Sequence, residues 1–315
     1  MSRCGYPPLQ RGEFNATLIR IMKYTTLLPI ALLTIAQALS AAKPTTAPDP
    51  KKASPFFALC MDTHDAKKRN LAQQAEMLKK LGYDGAGHLW LKNIPERLKT
   101  LDAAGLKLFH IYMRVNIKSG NKRPYDPKLE SVVKLLKGRK TSLVLLVGGM
   151  KPSDPKGDPR AVELVNQIAD LAAKSSLDVI LYPHTGDWLQ NVGDAVRIAK
   201  KVDRKNVGVM FNLCHWLKAE RGKNMRATLK SAMPYLKGVS IHGADTAAEI
   251  KAGKGKWIQP LGSGSFDVYE LLQSLVYLGY KGPVGLQCYG LRGDASVHLK
   301  RSMSAWRKLS QRLDK

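Results

Sequence analysis

The sequence predicts an α/β chain folding as a single (β/α)8 TIM barrel. The chain has 315 residues, 44% of them hydrophobic, and a barrel of this kind needs roughly 250. After Pro55, short apolar runs alternate with longer amphipathic ones eight times over, the pattern of strand–helix units around a parallel sheet. No GxGxxG follows an early run, which sets aside a doubly wound dinucleotide-binding sheet.

Each unit has its own signal. Phe56–Met61 reads as the first strand and about Ala66–Leu81 as its helix, with Leu71, Ala75, Leu78 and Leu81 on one face and Gly82 at its end. Tyr83–His88 is a short second strand, and a helix opens near Pro95 and closes before Gly105. Leu106–Met113 and Pro127–Leu136 form the third unit. Ser142–Val147 is apolar on both faces, as a strand covered on both sides must be, and Ala161–Lys174 follows as its helix. The fifth to eighth strands are Asp178–Tyr182, Val207–Phe211, Gly238–Ile241 and Val284–Gln287. Their helices lie around Val192–Lys201, Met225–Met233, Val268–Leu278 and Ser296–Leu313.

Ahead of the barrel, Lys23 precedes an apolar run from Leu27 to Leu39 that ends in the small residues Ser40-Ala41-Ala42. That is the plan of a secretory signal peptide over residues 1–42, with Met22 as an alternative start, and an uncleaved membrane anchor as the rival reading. Residues 43–54 read as a disordered linker, and the expected location is periplasmic or extracellular, with no stable membrane insertion once the signal is cut. Fifty-one Lys and Arg against 25 Asp and Glu give a formal charge of +26. The cations are spread over nearly every helix rather than gathered in a stripe with aromatics, the pattern of a basic soluble protein. Cys60, Cys214 and Cys288 lie beside core strands without a CxxC, so a structural zinc site is not expected, while a Cys60–Cys288 disulfide is open because the first and last strands of a barrel adjoin.

The polar residues concentrate at the C-terminal strand ends, where barrels of this kind do their chemistry. His64, His88, His184, His215 and His242 fall at or just beyond strand ends, with His110 inside the third strand. Burying polar groups without partners costs about 1–3 kcal/mol each, so several histidines on one face predict a pocket completed by a ligand. The Gly262 and Gly264 pair before a helix suits either an anion or a loop that needs positive φ.

Gly82-Tyr83-Asp84-Gly85, Pro183-His184, the NxxH of Asn212–His215, the HxxD of His242–Asp245 and Pro260–Asp267 together resemble the xylose-isomerase-like barrels of sugar phosphate isomerases and epimerases. The resemblance runs from Pro55 to the C-terminus. It implies a divalent metal held by Glu, Asp, His and Glu at the ends of strands five to eight, the two Glu also exchanging protons beside a carbonyl. Carried onto this chain, those places hold Tyr182, Asn212, His242 and Gln287. Neutral amides do not offset the cost of dehydrating a hard cation, so the usual metal site is expected to be absent. A nitrogen-rich site of His184, His215 and His242 is the metal alternative.

Two functional readings follow. In one, the barrel is an enzyme on a small-molecule sugar or keto-sugar derivative, working by epimerisation or β-elimination. His184 or His242 is its base, Asp245 the orienting partner and Tyr182 the acid. Cleavage of 3-keto-glycosides, implied by secreted relatives, belongs to the same class. In the other, the barrel binds carbohydrate without turnover, with Trp188, Trp216, Trp257 and Tyr289 as stacking platforms. His88, Asn212, His215 and Gln287 complete the substrate-binding set in either case. Apurinic endonucleases share the superfamily, but the loss of acidic ligands and the export signal argue against a nucleic-acid partner. The oligomeric state stays open.

Overall fold

In the computed structural model, which describes residues 54–314, eight parallel strands pair in chain order and the first closes on the last. The strands are β1 (Phe56–Leu59), β2 (Gly85–Leu89), β3 (Lys107–Asn116), β4 (Ser142–Gly148), β5 (Val179–Leu181), β6 (Val207–Asn212), β7 (Leu236–Ile241) and β8 (Val284–Gln287). The principal helices are α1 (Leu71–Leu81), α2 (Ile94–Ala104), α3 (Leu129–Leu135), α4 (Asp158–Ala173) and α5 (Val192–Val202). They continue with α6 (Leu213–Ala219), α7 (Met225–Ala232), α8 (Ala247–Lys251), α9 (Val268–Tyr277) and α10 (Ala295–Leu313). The predicted signal and most of the linker lie outside the described residues. Within them, no helix is long and apolar enough to cross a membrane.

Strand side chains alternate between two faces. Phe57, Tyr112, Val144, Ile180 and Met210 fill the barrel interior. Ala58, Ile111, Leu145, Leu181, Val209, Ile241 and Leu286 face outward into the layer shared with the helices. The interior is crowded enough that a Cβ on Gly285 would lie 2.8 Å from both Leu59 Cδ2 and Phe57 Cζ. This parity decides which strand-end residues reach the mouth. Tyr182 stands two after Ile180, Asn212 two after Met210, His242 two after Ser240 and Gln287 two after Gly285, so all four face in.

Two short helices depart from expectation. Asn212 ends β6 and at once caps α6, its Oδ1 accepting from the His215 N–H at 3.0 Å. The stretch Leu213–Trp216 is therefore helix rather than strand end. Thr246 and Glu249 form a capping box that starts α8 inside the expected loop. The first helix begins at Leu71 rather than Ala66, because Asn70 and Gln73 cap it and the residues before it are otherwise engaged. Asp65 takes both contacts of Arg69 Nη1, at 2.9 and 2.8 Å, and the Ala295 N–H at 3.1 Å, while Arg69 Nη2 reaches Asp294 at 2.7 Å. These bonds tie the loop after β1 to the loop after β8.

Cys60, Cys214 and Cys288 are all free and buried, so the Cys60–Cys288 pairing is not made. Gly264 has φ +86°, and a Cβ there would meet the Ala244 carbonyl oxygen. Glycine is required at that position by the backbone itself.

Candidate functional site

The site is assembled from β5, β6, β7 and β8 and the segments that follow them. Asn212 is almost wholly buried. Its Nδ2 donates to the Tyr182 hydroxyl at 2.8 Å and to Ser240 Oγ at 2.6 Å, and its Oδ1 is taken by the cap of α6. The Tyr182 oxygen thus accepts one bond and keeps its own proton to give. Burial, with Tyr112 beside it, holds that phenol well above its ordinary range, so it is a neutral donor at neutral pH.

Three imidazoles converge around this pair. The His184 and His215 ring centroids lie 4.1 Å apart, and Tyr182 meets His215 edge-on at 5.5 Å. His215 Nδ1 accepts the Thr185 N–H at 3.1 Å, so in the neutral ring the proton sits on Nε2. His242 is the reverse. Its Nδ1 lies 2.9 Å from the Gly243 carbonyl oxygen and must donate, which leaves Nε2 as a lone pair. That Nε2 and the Gln287 Oε1 are buried and without hydrogen-bond partners among the described residues. Burial drives the His215 pKa down to about 2, helped by His184, Lys218 and His242, and the His242 pKa down to about 4.

His184 differs by standing at the mouth, its side chain 31% exposed, with Nδ1 3.3 Å from Asp187 Oδ2, within ion-pair range but not hydrogen-bonded to it. Burial lowers its pKa, the Asp187 carboxylate opposes that shift, and Arg114 and Lys218 reinforce it. Asp187 is itself paired with Arg114 Nη1 at 3.1 Å. Lys218, one helical turn beyond His215 on α6, extends over the Trp257 ring, its Nζ 5.7 Å from the centroid. The arrangement therefore offers a supported base (His184), two neutral donors (His215 Nε2–H and Tyr182), an acceptor (His242 Nε2) and a cation (Lys218).

Several expected site residues are placed elsewhere. His88 lies on the outward parity of β2, opposite to Leu89, and both its nitrogens are used. Arg97 Nε donates to Nδ1 at 3.2 Å, and Nε2 donates to the Lys92 carbonyl at 2.8 Å. It ties β2 to α2 rather than lining the mouth. Trp216, 2% exposed, packs against Phe211 and Phe266 on the outer layer. Trp188 is fully buried, with Nε1 donating to the Asp154 carbonyl. Neither is a stacking platform. Asp245 does not orient His242. Its oxygens accept from Lys256 N, Gln259 Nε2 and Ser265 N, which makes it the organiser of the loop after β7. Tyr289 stays 54% exposed at the rim.

Asp187, Arg114 and Lys218 were not among the expected residues. The signal for Asp187 was its place three residues after His184. Arg114 lies one residue beyond the expected end of the third strand, on the inward parity of His110 and Tyr112.

The family's divalent-metal site asks for three carboxylates and a histidine. Here the corresponding phenol is held protonated, and the Asn212 amide is spent on Tyr182, Ser240 and the helix cap. Only the His242 nitrogen and the Gln287 oxygen are uncommitted, so this donor set does not fit a hard divalent ion. His184, His215 and His242 are likewise not disposed as ligands to one ion. Among the described residues, no group of three or more His, Cys, Asp or Glu is so placed.

Solved structures of similar fold include a D-allulose 3-epimerase from Methylomonas sp., at 14% identity and TM-score 0.63, covering 82% of this chain and 98% of that one. A 3-keto-D-glucoside 4-epimerase from E. coli gives 17% identity and TM-score 0.62, covering 81% and 99%. A probable 3-DHS dehydratase from Bacillus anthracis gives 16% and 0.64, covering 80% and 98%. At these identities the likeness is one of fold. No curated protein matches the chain. A family model described as the xylose isomerase-like TIM barrel matches residues 75–309, and the chain belongs to that family.

Proposed function

We propose that the protein is an enzyme that moves a proton on a carbon next to a carbonyl in a sugar or keto-sugar derivative, without the family's divalent metal. The observation that carries this reading is the His184–Asp187 pair, set against two neutral donors of fixed tautomer. The Asp187 carboxylate, 3.3 Å from Nδ1, offsets the positive charge the imidazole gains, and a hydrogen bond between them on substrate binding would leave Nε2 as the base. The carbon–hydrogen bond breaks toward His184, and its electron pair moves onto the carbonyl oxygen as an enolate. Lys218 and the His215 Nε2–H supply charge and a hydrogen bond for that oxygen. His242 Nε2 and Gln287 Oε1 accept hydroxyl protons of the sugar and fix its orientation. Reprotonation of the same carbon from the other face, with Tyr182 as donor and the phenolate then recovering the proton held by the His184 imidazolium through solvent, completes an epimerisation. Expulsion of the substituent one carbon further on, with the imidazolium returning its proton to the leaving oxygen, completes a β-elimination.

The structures of similar fold, two sugar epimerases and a probable dehydratase, favour this chemistry by analogy. Carbohydrate binding without turnover is the second reading, favoured by the exposed Tyr289 and the half-buried Trp257 at the mouth. Incubation with a panel of keto-sugars and keto-glycosides in deuterated water separates the two, since NMR reads exchange at the carbon beside the carbonyl whatever the final product. Exchange that disappears in His184→Ala supports the enzyme. Binding with no exchange on any member of the panel overturns it in favour of the binder. Retained exchange after exhaustive chelation is expected, and its loss would return the metal to the mechanism. An exported location belongs to the same proposal, and sequencing the N-terminus of the mature protein checks it.

A further inference from the structure

The rim opposite the histidines carries an aromatic residue that the proposed reaction does not use. Trp90 directly follows β2 and is 44% exposed, one of the few large hydrophobic side chains left in water. Its backbone has φ +70°, a region that a bulky side chain rarely enters. The strained turn is held by the Trp90 N–H bonding the Tyr112 carbonyl at 2.8 Å. Its indole meets the Arg114 guanidinium, whose carbon lies 5.8 Å from the ring centroid. Arg114 is the same cation that binds Asp187, and Asp187 is the carboxylate beside His184. The exposed indole is thus three contacts from the proposed base, through Arg114 and Asp187.

Around the same rim, Tyr289 follows β8, and its ring meets that of His64, after β1, edge-on at 5.1 Å. His64 in turn accepts the Gly290 N–H through Nδ1 at 3.2 Å, which fixes the loop that carries Tyr289. Strands β8, β1 and β2 are consecutive in the closed sheet. One arc of the mouth therefore presents two exposed rings with an imidazole between them, and the other presents the proton-transfer groups. The hydrogens on one face of a pyranose form an apolar surface that suits an indole or phenol, and its hydroxyls suit a guanidinium.

We propose that the arc of Trp90, His64 and Tyr289 is a second saccharide subsite, so that the substrate is a glycoside of at least two rings. Its reacting ring lies over His184 and the attached ring stacks on Trp90. This rests on the reading of the mouth as a sugar site, but not on the reaction assigned to it. The strained turn is the local cost of keeping the indole at the rim, since a residue that accepts positive φ would relieve it.

The test uses an array of neutral saccharides of one to six rings, with thermal melting measured in parallel. Wild type is expected to be retained on at least one series of two or more rings. Trp90→Asn, which tolerates this backbone conformation, should weaken that retention by about ten-fold while its melting temperature holds or rises. Tyr277→Ala, at an exposed ring on α9 that the site does not use, should keep the retention. Unchanged retention in Trp90→Asn overturns the subsite, as does a lowered melting temperature with binding intact, or no retention on any array member. Failure of the proton-transfer reading looks different: Trp90-dependent retention persists while no keto-sugar exchanges its proton. Failure of the subsite alone leaves exchange on keto-sugars that is indifferent to Trp90.

Discussion

His88 and His242 both sit at the C-terminal end of a strand, one residue before and one after its last, both are buried, and burial lowers the pKa of each. Their surroundings part company at one point. The layer between β2 and helices α1 and α2 matches both nitrogens of His88, and Arg97 goes on to reach Gln74 Oε1 at 2.5 Å. The mouth matches only Nδ1 of His242 and leaves Nε2 facing inward. A strand-end histidine is thus not a site residue by position alone. Parity decides which layer it enters, and hydrogen-bond completeness decides whether anything is left for a ligand.

The sharpest way to break this comparison is to remove the acid–base pair on the inward side. Asp187→Asn is expected to lower turnover by about 10²–10⁴-fold, the range for a general base, with little change in melting temperature. Because Asp187 raises the His184 pKa, the acid limb of the pH–rate profile should also move to lower pH in that variant. A profile unmoved by the substitution would remove Asp187 from the mechanism.

On the outward side the effect should fall on stability instead. His88→Ala strips the partner from a buried guanidinium and leaves a small cavity. A loss of about 2–4 kcal/mol in urea unfolding is expected, with turnover per folded molecule preserved. A fall in turnover without a fall in stability would return His88 to the site.

The smallest expected effect is common to both residues. An unfolded histidine takes up a proton at about pH 6.5, whereas His242 in the folded chain does so only near 4. Between those values the unfolded chain binds more protons, so stability is fully present above pH 6.5 and is lost as pH falls toward 4. Unfolding free energies measured across that window should slope downward with acidification, and less steeply in His242→Asn. A flat wild-type profile would contradict the buried neutral imidazoles.

All eight strands were legible as apolar runs, and strand β8 was legible to the residue. The set Tyr182, Asn212, His242 and Gln287 was legible through the family resemblance, which places one residue at the end of each of strands five to eight. What escaped depended on distances shorter than an element. Expecting the third strand to end at Met113 hid Arg114, and expecting the second to end at His88 hid Trp90. Outward His88 was hidden because β2 is read as ending there, whereas the strand runs on to Leu89 and it is Leu89 that has the inward parity. Asp245 looked like a partner for His242 because it lies three positions further on. Backbone N–H groups of its own loop compete for that carboxylate and win. Trp216 looked like a rim residue only while α6 was taken for strand end.

The bonds from Arg69 to Asp65 and Asp294 join residues 225 positions apart in the chain. Every other strand joint in the barrel is also bridged covalently by the helix that connects its two strands, and the β1–β8 joint is not. During synthesis β1 waits with one edge open until the last unit has emerged, and loop closure over that separation sets a late, entropically costly step. The clamp acts as a latch on that step. Once made, it adds side-chain bonds to the β1–β8 pairing that turns an arc of seven covalent links into a ring, and it does so at the rim where Tyr289 and His64 must stay in register.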